Sequence, residues 1–106
     1  MMKLINKLVR DNIPDICKGT GQIPETRILN DREYSLELRK KLQEEVQEYL
    51  LSSDIEELAD ILEVVEALAK DHGTSIDEVI GIKQKKQDRN GAFKKKIFLS
   101  RVEGQN

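Results

Sequence analysis

Two short clusters of carboxylates stand close together near the middle of the chain. The first lies within Glu44-Glu45-Val46-Gln47-Glu48, and the second within Glu57-Leu58-Ala59-Asp60. In each cluster two acids are three residues apart, a spacing that places both on one side of an α-helix. Carboxylate oxygens are hard ligands, and a group of them selects Mg²⁺ or Mn²⁺ rather than zinc. The clusters therefore predict a divalent-cation site, provided that the fold brings them together.

Three helices are predicted from residue pairs with the spacing of a capping box. These pairs are Asn30 with Glu33, Ser53 with Glu56, and Ser75 with Glu78. The first helix should run to about Leu51 and the second to about Asp71, where Gly73 is placed to end it. The third should run to about Asn90, before Gly91. The acid clusters thus lie on two consecutive helices.

Shorter elements surround these helices. A short helix is predicted from Asp11 to Lys18, with Pro14 tolerated in its first turn. Residues 26–29 and 96–101 have the composition of short strands that could pair as a two-stranded β element. The chain as a whole, residues 1–106, is predicted to be one all-α domain, an antiparallel helical bundle.

Helical rotation places a glutamate on an apolar stripe of the first long helix. At 100° per residue the stripe consists of Tyr34, Leu38, Leu42, Val46 and Tyr49. With Leu38 at zero, Glu45 falls at about −20°, inside the stripe, and Glu48 falls near −80°, at its edge. A buried glutamate is costly unless it is paired or holds a metal. The position of Glu45 therefore indicates either a paired acid or a metal ligand.

The second helix carries its acids beside its own apolar face. Glu57 falls between the directions of Leu68 and Val64, and Asp60 lies one step further round. If the chain turns near residues 52–53, the two helices are antiparallel. Residues that face each other then have numbers that sum to about 105. Glu48 then faces Glu57, and Glu45 faces Asp60, so four carboxylates meet on a helical hairpin. The alternative is that some of these acids pair with Lys or Arg, or that the helix phases drift.

Charge is distributed unevenly along the chain. The formal net charge is −2, but residues 31–78 have a balance of −10 and residues 79–106 a balance of +6. An acidic middle beside a basic tail suits a cation together with a polyanion, such as a metal-bound phosphate ligand. The alternative is a solvated helix surface with a basic end.

Composition excludes several classes of protein. No 18-residue apolar run and no signal peptide is recognisable, so no membrane association is expected. The single cysteine, Cys17, cannot form an internal disulfide, which favours a cytoplasmic protein. Nucleic-acid binding is disfavoured because the chain is acidic and has four aromatic residues, too few for base stacking.

The acid clusters resemble the EExxE…ExxD motif of the MazG-like all-α NTP pyrophosphohydrolases. The opening run Lys7-Leu8-Val9-Arg10-Asp11-Asn12-Ile13-Pro14 is similar to the KLVRDKIP start of a small single-domain branch of that superfamily. The later stretch from Lys85 through Arg89-Asn90-Gly91-Ala92-Phe93 fits the same branch, so the resemblance covers nearly the whole chain. Asn12 replaces the usual Lys, Asn90 stands where Gly is common, and the gap between the acid motifs is short.

The resemblance implies hydrolysis of a nucleoside triphosphate between its α- and β-phosphates, giving the monophosphate and pyrophosphate. It assigns Mg²⁺, with Mn²⁺ as a substitute, to Glu45, Glu48, Glu57 and Asp60. Glu44 could orient the attacking water, or it is an exposed surface acid. Lys85 and Arg89, four apart on one face of the third helix, could neutralise phosphates, or they form a solvated basic face.

Three functions remain open from the sequence. The first is house-cleaning of non-canonical or surplus nucleotides, and the second is the phosphoribosyl-ATP pyrophosphohydrolase reaction of histidine biosynthesis. The third is a non-catalytic helical module whose acids bind a metal.

Apolar residues spread over roughly 220° of the second helix, more than one facing helix covers, which predicts a homo-oligomer. The resemblance implies dimers or tetramers as well.

Overall fold

The computed structural model describes residues 2–104, which contain four α-helices and no strand. The helices are α1 (Ile13–Gly19), α2 (Asp31–Ser52), α3 (Ile55–Asp71) and α4 (Ile76–Asn90). The prediction of an all-α chain is confirmed. None of the helices in the described range is long and apolar enough to cross a membrane. The chain divides between Ile76 and Asp77 into two compact units, and α4 belongs almost wholly to the second.

The start of α2 has the predicted capping box. The Glu33 N–H donates to the Asn30 side-chain oxygen over 2.9 Å, and the Asn30 N–H donates to Glu33 Oε1 over 3.4 Å. Two N–H groups that lack a partner within the helix are satisfied in this way. Removing such a cap costs about 1 kcal/mol, so the pair fixes where α2 begins.

The turn between α2 and α3 differs from the prediction at its cap. Ser53, predicted to cap α3, instead ends α2 in the left-handed conformation (φ 56°), and its N–H donates to the Tyr49 carbonyl over 2.8 Å. Asp54 is the cap of α3, and its side chain accepts from the Glu56 N–H. A two-residue connection needs one residue to reverse the chain and one to cap, and a carboxylate is a strong N-cap acceptor.

The end of α3 lies where Gly73 was expected to place it. Gly73 has φ +81°, and its N–H donates to the Lys70 carbonyl over 2.9 Å. The Thr74 N–H donates to the Ala69 carbonyl over 3.0 Å. These two bonds form a Schellman motif, in which glycine takes the left-handed position without a steric penalty. Within the first unit α2 packs against α3, so the two helices form the predicted hairpin.

The core of the first unit is thin. Among the residues that the structure describes, the buried apolar ones are Leu38, Val64 and Ala69, and Glu45 is buried as well. Val46, predicted to lie in the core stripe of α2, is 37% exposed. The reason is that one facing helix covers a narrower stripe than the apolar residues of α2 occupy.

The predicted two-stranded β element is wrong for the described residues. Neither 26–29 nor 96–101 forms a strand. Lys96 has φ +57°, which interrupts an extended run, and Ile28 is almost fully exposed. Their β-branched and aromatic residues favour extended backbone, but a strand also requires a hydrogen-bonded neighbour.

Candidate metal centre

The helical hairpin brings the predicted carboxylates together. Side-chain oxygens of Glu45, Glu57 and Asp60 lie within 4.8 Å of one another, and those of Glu44, Glu45 and Glu48 form a second group of the same size. Glu45 belongs to both groups and connects the acids of α2 with those of α3. We call Glu45, Glu48, Glu57 and Asp60 the acid quartet.

Two oxygens of the quartet are buried without a hydrogen-bond partner. They are Glu45 Oε2 and Glu57 Oε2. Glu45 is 8% exposed, so water cannot freely solvate its carboxylate. An unsatisfied buried carboxylate oxygen destabilises the fold, and a cation in contact with it removes that cost. Four hard oxygen donors with two unsatisfied atoms therefore fit Mg²⁺ or Mn²⁺.

Burial and mutual repulsion raise the pKa of two quartet members, Glu45 and Glu57. For Glu45 the largest cause is burial, followed by a hydrogen bond and charge repulsion from Glu48, while Lys41 acts in the opposite direction. The pKa of Glu57 is raised first by desolvation and then by the charges of Glu48 and Asp60. Both shifts mean that the metal-free cluster resists full ionisation, as expected of crowded carboxylates.

Cations partly neutralise the surrounding acids. Lys41 Nζ lies 3.3 Å from Glu44 Oε2 and 3.6 Å from Glu45 Oε1, and Lys7 Nζ lies 3.1 Å from Glu44 Oε1. Partial burial acts to raise the pKa of Glu44, but hydrogen bonds from Lys7 and Lys41 outweigh it, so the net pKa lies below its usual value. Glu44 is therefore an ionised, half-buried member of the cluster rather than an exposed surface acid.

Asp60 also has a cationic partner. Arg10 Nη2 donates to Asp60 Oδ1 over 2.7 Å. The alternative considered from the sequence, that some of the four acids pair with Lys or Arg, therefore holds for Asp60 and, through Lys41, for one oxygen of Glu45. It does not account for Glu45 Oε2 and Glu57 Oε2, which are buried without a hydrogen-bond partner.

Sequence reasoning missed three residues of this site: Lys7, Arg10 and Lys41. Lys41 could have been found, because it stands four residues before Glu45 on the same helix. Lys7 and Arg10 could not be found from periodicity, since they precede α1 and meet acids 37 and 50 residues away. The charges in the opening run were the available signal.

Lys85 and Arg89 lie in the second unit, four residues apart on α4, and both are exposed. Within α4, neighbouring side chains pair at the same spacing, as Gln84 does with Asp88. Lys85 and Arg89 are thus one helical turn apart on α4, as predicted. Their contact with phosphate stays a prediction.

The fold and the cluster define a class: an all-α protein whose helical hairpin carries a carboxylate group that could hold a divalent cation. No family model matches the chain, and no solved structure matches it. A segment of 42 residues is 48% identical to an uncharacterized protein of Mycolicibacterium smegmatis. The match covers 40% of this chain and 43% of that protein. The chain thus matches less than half the length of this relative.

Proposed function

We propose that the protein is a Mg²⁺-dependent nucleoside triphosphate pyrophosphohydrolase of the MazG-like type, cleaving between the α- and β-phosphates. The observation that carries the proposal is the acid quartet with its two unsatisfied buried oxygens. The resemblance of the two acid motifs to EExxE…ExxD supplies the reaction. House-cleaning of non-canonical or surplus nucleotides is the role that the KLVRD-like opening favours over the phosphoribosyl-ATP reaction.

Each residue of the site has a proposed role. Glu45, Glu48, Glu57 and Asp60 hold Mg²⁺ or Mn²⁺. A cation bound there neutralises phosphate charge and lowers the pKa of a water molecule. Glu44, whose pKa is lowered, stays ionised at neutral pH and can accept a hydrogen bond from the attacking water.

Phosphate binding is the role proposed for Lys85 and Arg89. Their four-residue spacing on α4 would let two cations face the same polyanion. Replacing either with Ala should lower kcat/KM for the nucleotide while leaving Mn²⁺ binding unchanged. Lys83, two residues before Lys85 on the same helix, is the control, because its Nζ donates to Gln87 Oε1 over 3.5 Å. Unchanged kcat/KM in both variants would leave these residues as a solvated basic face.

A second candidate function is a structural metal site without catalysis. The thin core favours it, since three buried apolar residues provide little cohesion and a cation bridging α2 and α3 would add some. The two candidates differ in one readout. A structural site raises the Tm with Mg²⁺ but releases no pyrophosphate from any nucleotide.

The experiment compares pyrophosphate release by the wild type and its variants, using a nucleotide panel that includes phosphoribosyl-ATP. Glu45→Gln and Asp60→Asn each remove one ligand charge and should lower turnover by about 100-fold or more while the circular dichroism spectrum stays unchanged. Glu63→Gln, an exposed acid of α3 outside the quartet, is the control and should retain activity. Full activity in both quartet variants would contradict the proposed site.

A further inference from the structure

The segment that precedes α1 lies against the acid cluster. Arg10 forms its 2.7 Å ion pair with Asp60 of α3, and Lys7 forms its 3.1 Å ion pair with Glu44 of α2. The segment therefore contributes one positive charge to each helix of the hairpin. Neither contact follows from the local sequence, so the folded hairpin determines where these cations lie.

Arg10 and a metal ion would compete for the same carboxylate. Asp60 converges with Glu45 and Glu57, and the Arg10 guanidinium donates to its Oδ1. A guanidinium at 2.7 Å would also repel a divalent cation placed among these oxygens. Filling the quartet therefore requires the Arg10 side chain to move or the metal to bind more weakly.

The surroundings of Arg10 would allow its side chain to leave Asp60 while contacts hold its backbone. The side chain of Arg10 is 55% exposed, and that of Asp60 is 39% exposed, so separation leaves no buried charge unpaired. The Arg10 carbonyl accepts from the Ile13 N–H over 3.1 Å, and Lys7 holds the segment at a second point. A guanidinium that leaves Asp60 thus remains at the edge of the cluster.

A displaced guanidinium there has one suitable new partner. Arginine presents a planar set of donors that matches two oxygens of a phosphate group. A polyphosphate coordinated to the quartet cation would bring such oxygens to this edge. We propose that Arg10 exchanges partners, holding Asp60 in the metal-free protein and binding phosphate oxygens once a divalent cation has taken Asp60. The phosphate half of this inference rests on the proposed function.

The first half is tested by direct Mn²⁺ binding, followed by calorimetry or electron paramagnetic resonance. Arg10→Ala and Arg10→Gln remove the competing cation and should tighten Mn²⁺ binding by about two- to tenfold, the effect of losing an exposed ion pair and a nearby like charge. Arg27→Ala is the matched control. Arg27 forms a 3.0 Å ion pair with Glu33 of α2, outside the quartet, and its loss should leave Mn²⁺ binding unchanged.

The second half is tested with inorganic tripolyphosphate at saturating Mn²⁺. Loss of a charge-assisted contact should weaken tripolyphosphate binding by about tenfold or more in both Arg10 variants. Opposite effects on the two ligands are expected from partner exchange and not from general loss of structure. Mn²⁺ binding that is unchanged or weaker in both variants, or tripolyphosphate binding equal to that of the wild type, overturns the inference.

The same measurements separate this inference from the proposed function. A wild-type protein that binds Mn²⁺ and tripolyphosphate with the expected Arg10 effects, but releases no pyrophosphate from any nucleotide, supports the inference and refutes the proposed activity. If the wild type hydrolyses nucleotides while the Arg10 variants bind both ligands as the wild type does, the proposed activity is supported and the inference is refuted. A wild-type protein that binds no Mn²⁺ overturns both.

Discussion

Glu45 combines a core position with a group that prefers to be charged. Burial and the neighbouring Glu48 raise its pKa in the metal-free protein. A carboxyl whose folded-state pKa exceeds its unfolded value stabilises the fold at pH values below the unfolded pKa, and this contribution is lost as pH rises through the folded pKa. As the pH rises through this raised pKa, Glu45 therefore becomes a burden on the metal-free fold.

Replacing Glu45 with Gln should consequently raise the Tm of the metal-free protein at pH 7 by a few degrees. The difference from wild type should shrink as pH falls toward the ordinary glutamate value of 4.5, where wild-type Glu45 becomes neutral as well. Thermal unfolding of both proteins in the presence of a chelator, at pH 7 and at lower pH, measures these two differences in Tm.

Glu63→Gln serves as the control for that experiment, because Glu63 is exposed on the same hairpin. A lower Tm for Glu45→Gln at pH 7 would mean that the contact with Lys41 outweighs burial and repulsion. Added Mg²⁺ should raise the Tm of the wild type more than that of Glu45→Gln, since a ligand that binds the folded state more tightly stabilises it more.

At the residue scale the quartet was predictable and its cations were not. Glu45 stood out because its direction around the helix axis, at 100° per residue, places a charge on an apolar stripe. Arg10 gave no such signal, since it lies outside any helix and its partner is 50 residues away. Contacts of that kind depend on tertiary structure, which periodicity does not report.

At the scale of elements, the two-residue turn between α2 and α3 sets the register of the site. Ser53 takes φ 56° there, a conformation that costs a residue with a Cβ about 1 kcal/mol or more. Ser53→Gly should relieve that cost and stabilise the protein by up to about 1 kcal/mol, without moving the acid quartet. Urea unfolding measures the change.

Ser52→Gly provides the matched comparison for the turn. Ser52 is the last residue of α2, and its side chain accepts from the Asp54 N–H over 3.1 Å. Glycine there loses this bond and adds backbone entropy to the unfolded state, so the variant should be less stable than wild type. Equal effects of the two substitutions would refute the strain assigned to Ser53.

Helix positions were largely predictable because their signals are local. The Asn30 cap and Gly73 act within four residues of their partners, and both lie where the sequence placed them. The boundary at Ser53 was missed because two adjacent residues, Ser53 and Asp54, can each cap a helix. The strands failed because residues 26–29 carry a strand composition without a neighbour to pair with.

At the scale of the whole molecule, a stripe of α3 lies exposed. Ile55, Leu58 and Leu62 repeat at helical spacing on one face, and they are 77%, 42% and 63% exposed. Contiguous apolar surface of this kind usually marks an interface. A second copy of the chain is the partner we propose, consistent with the breadth of the apolar arc of α3.

Light scattering at micromolar concentration should therefore give a mass at least twice the 12.2 kDa of one chain. Leu62→Lys places a charge on the exposed stripe and should lower that mass, while Glu63→Lys on the neighbouring polar face should not. A wild-type mass of 12.2 kDa would refute self-association through this stripe.

Identification of the reaction products shows whether the acid quartet supports Mg²⁺-dependent cleavage between the α- and β-phosphates. Wild-type protein is incubated with each nucleoside triphosphate, with Mg²⁺ or with a chelator, and the products are separated by anion-exchange chromatography. We expect equal amounts of nucleoside monophosphate and pyrophosphate for at least one nucleotide, in the Mg²⁺ reaction alone. Formation of nucleoside diphosphate and phosphate, or no turnover of any nucleotide with Mg²⁺, would refute the proposed cleavage.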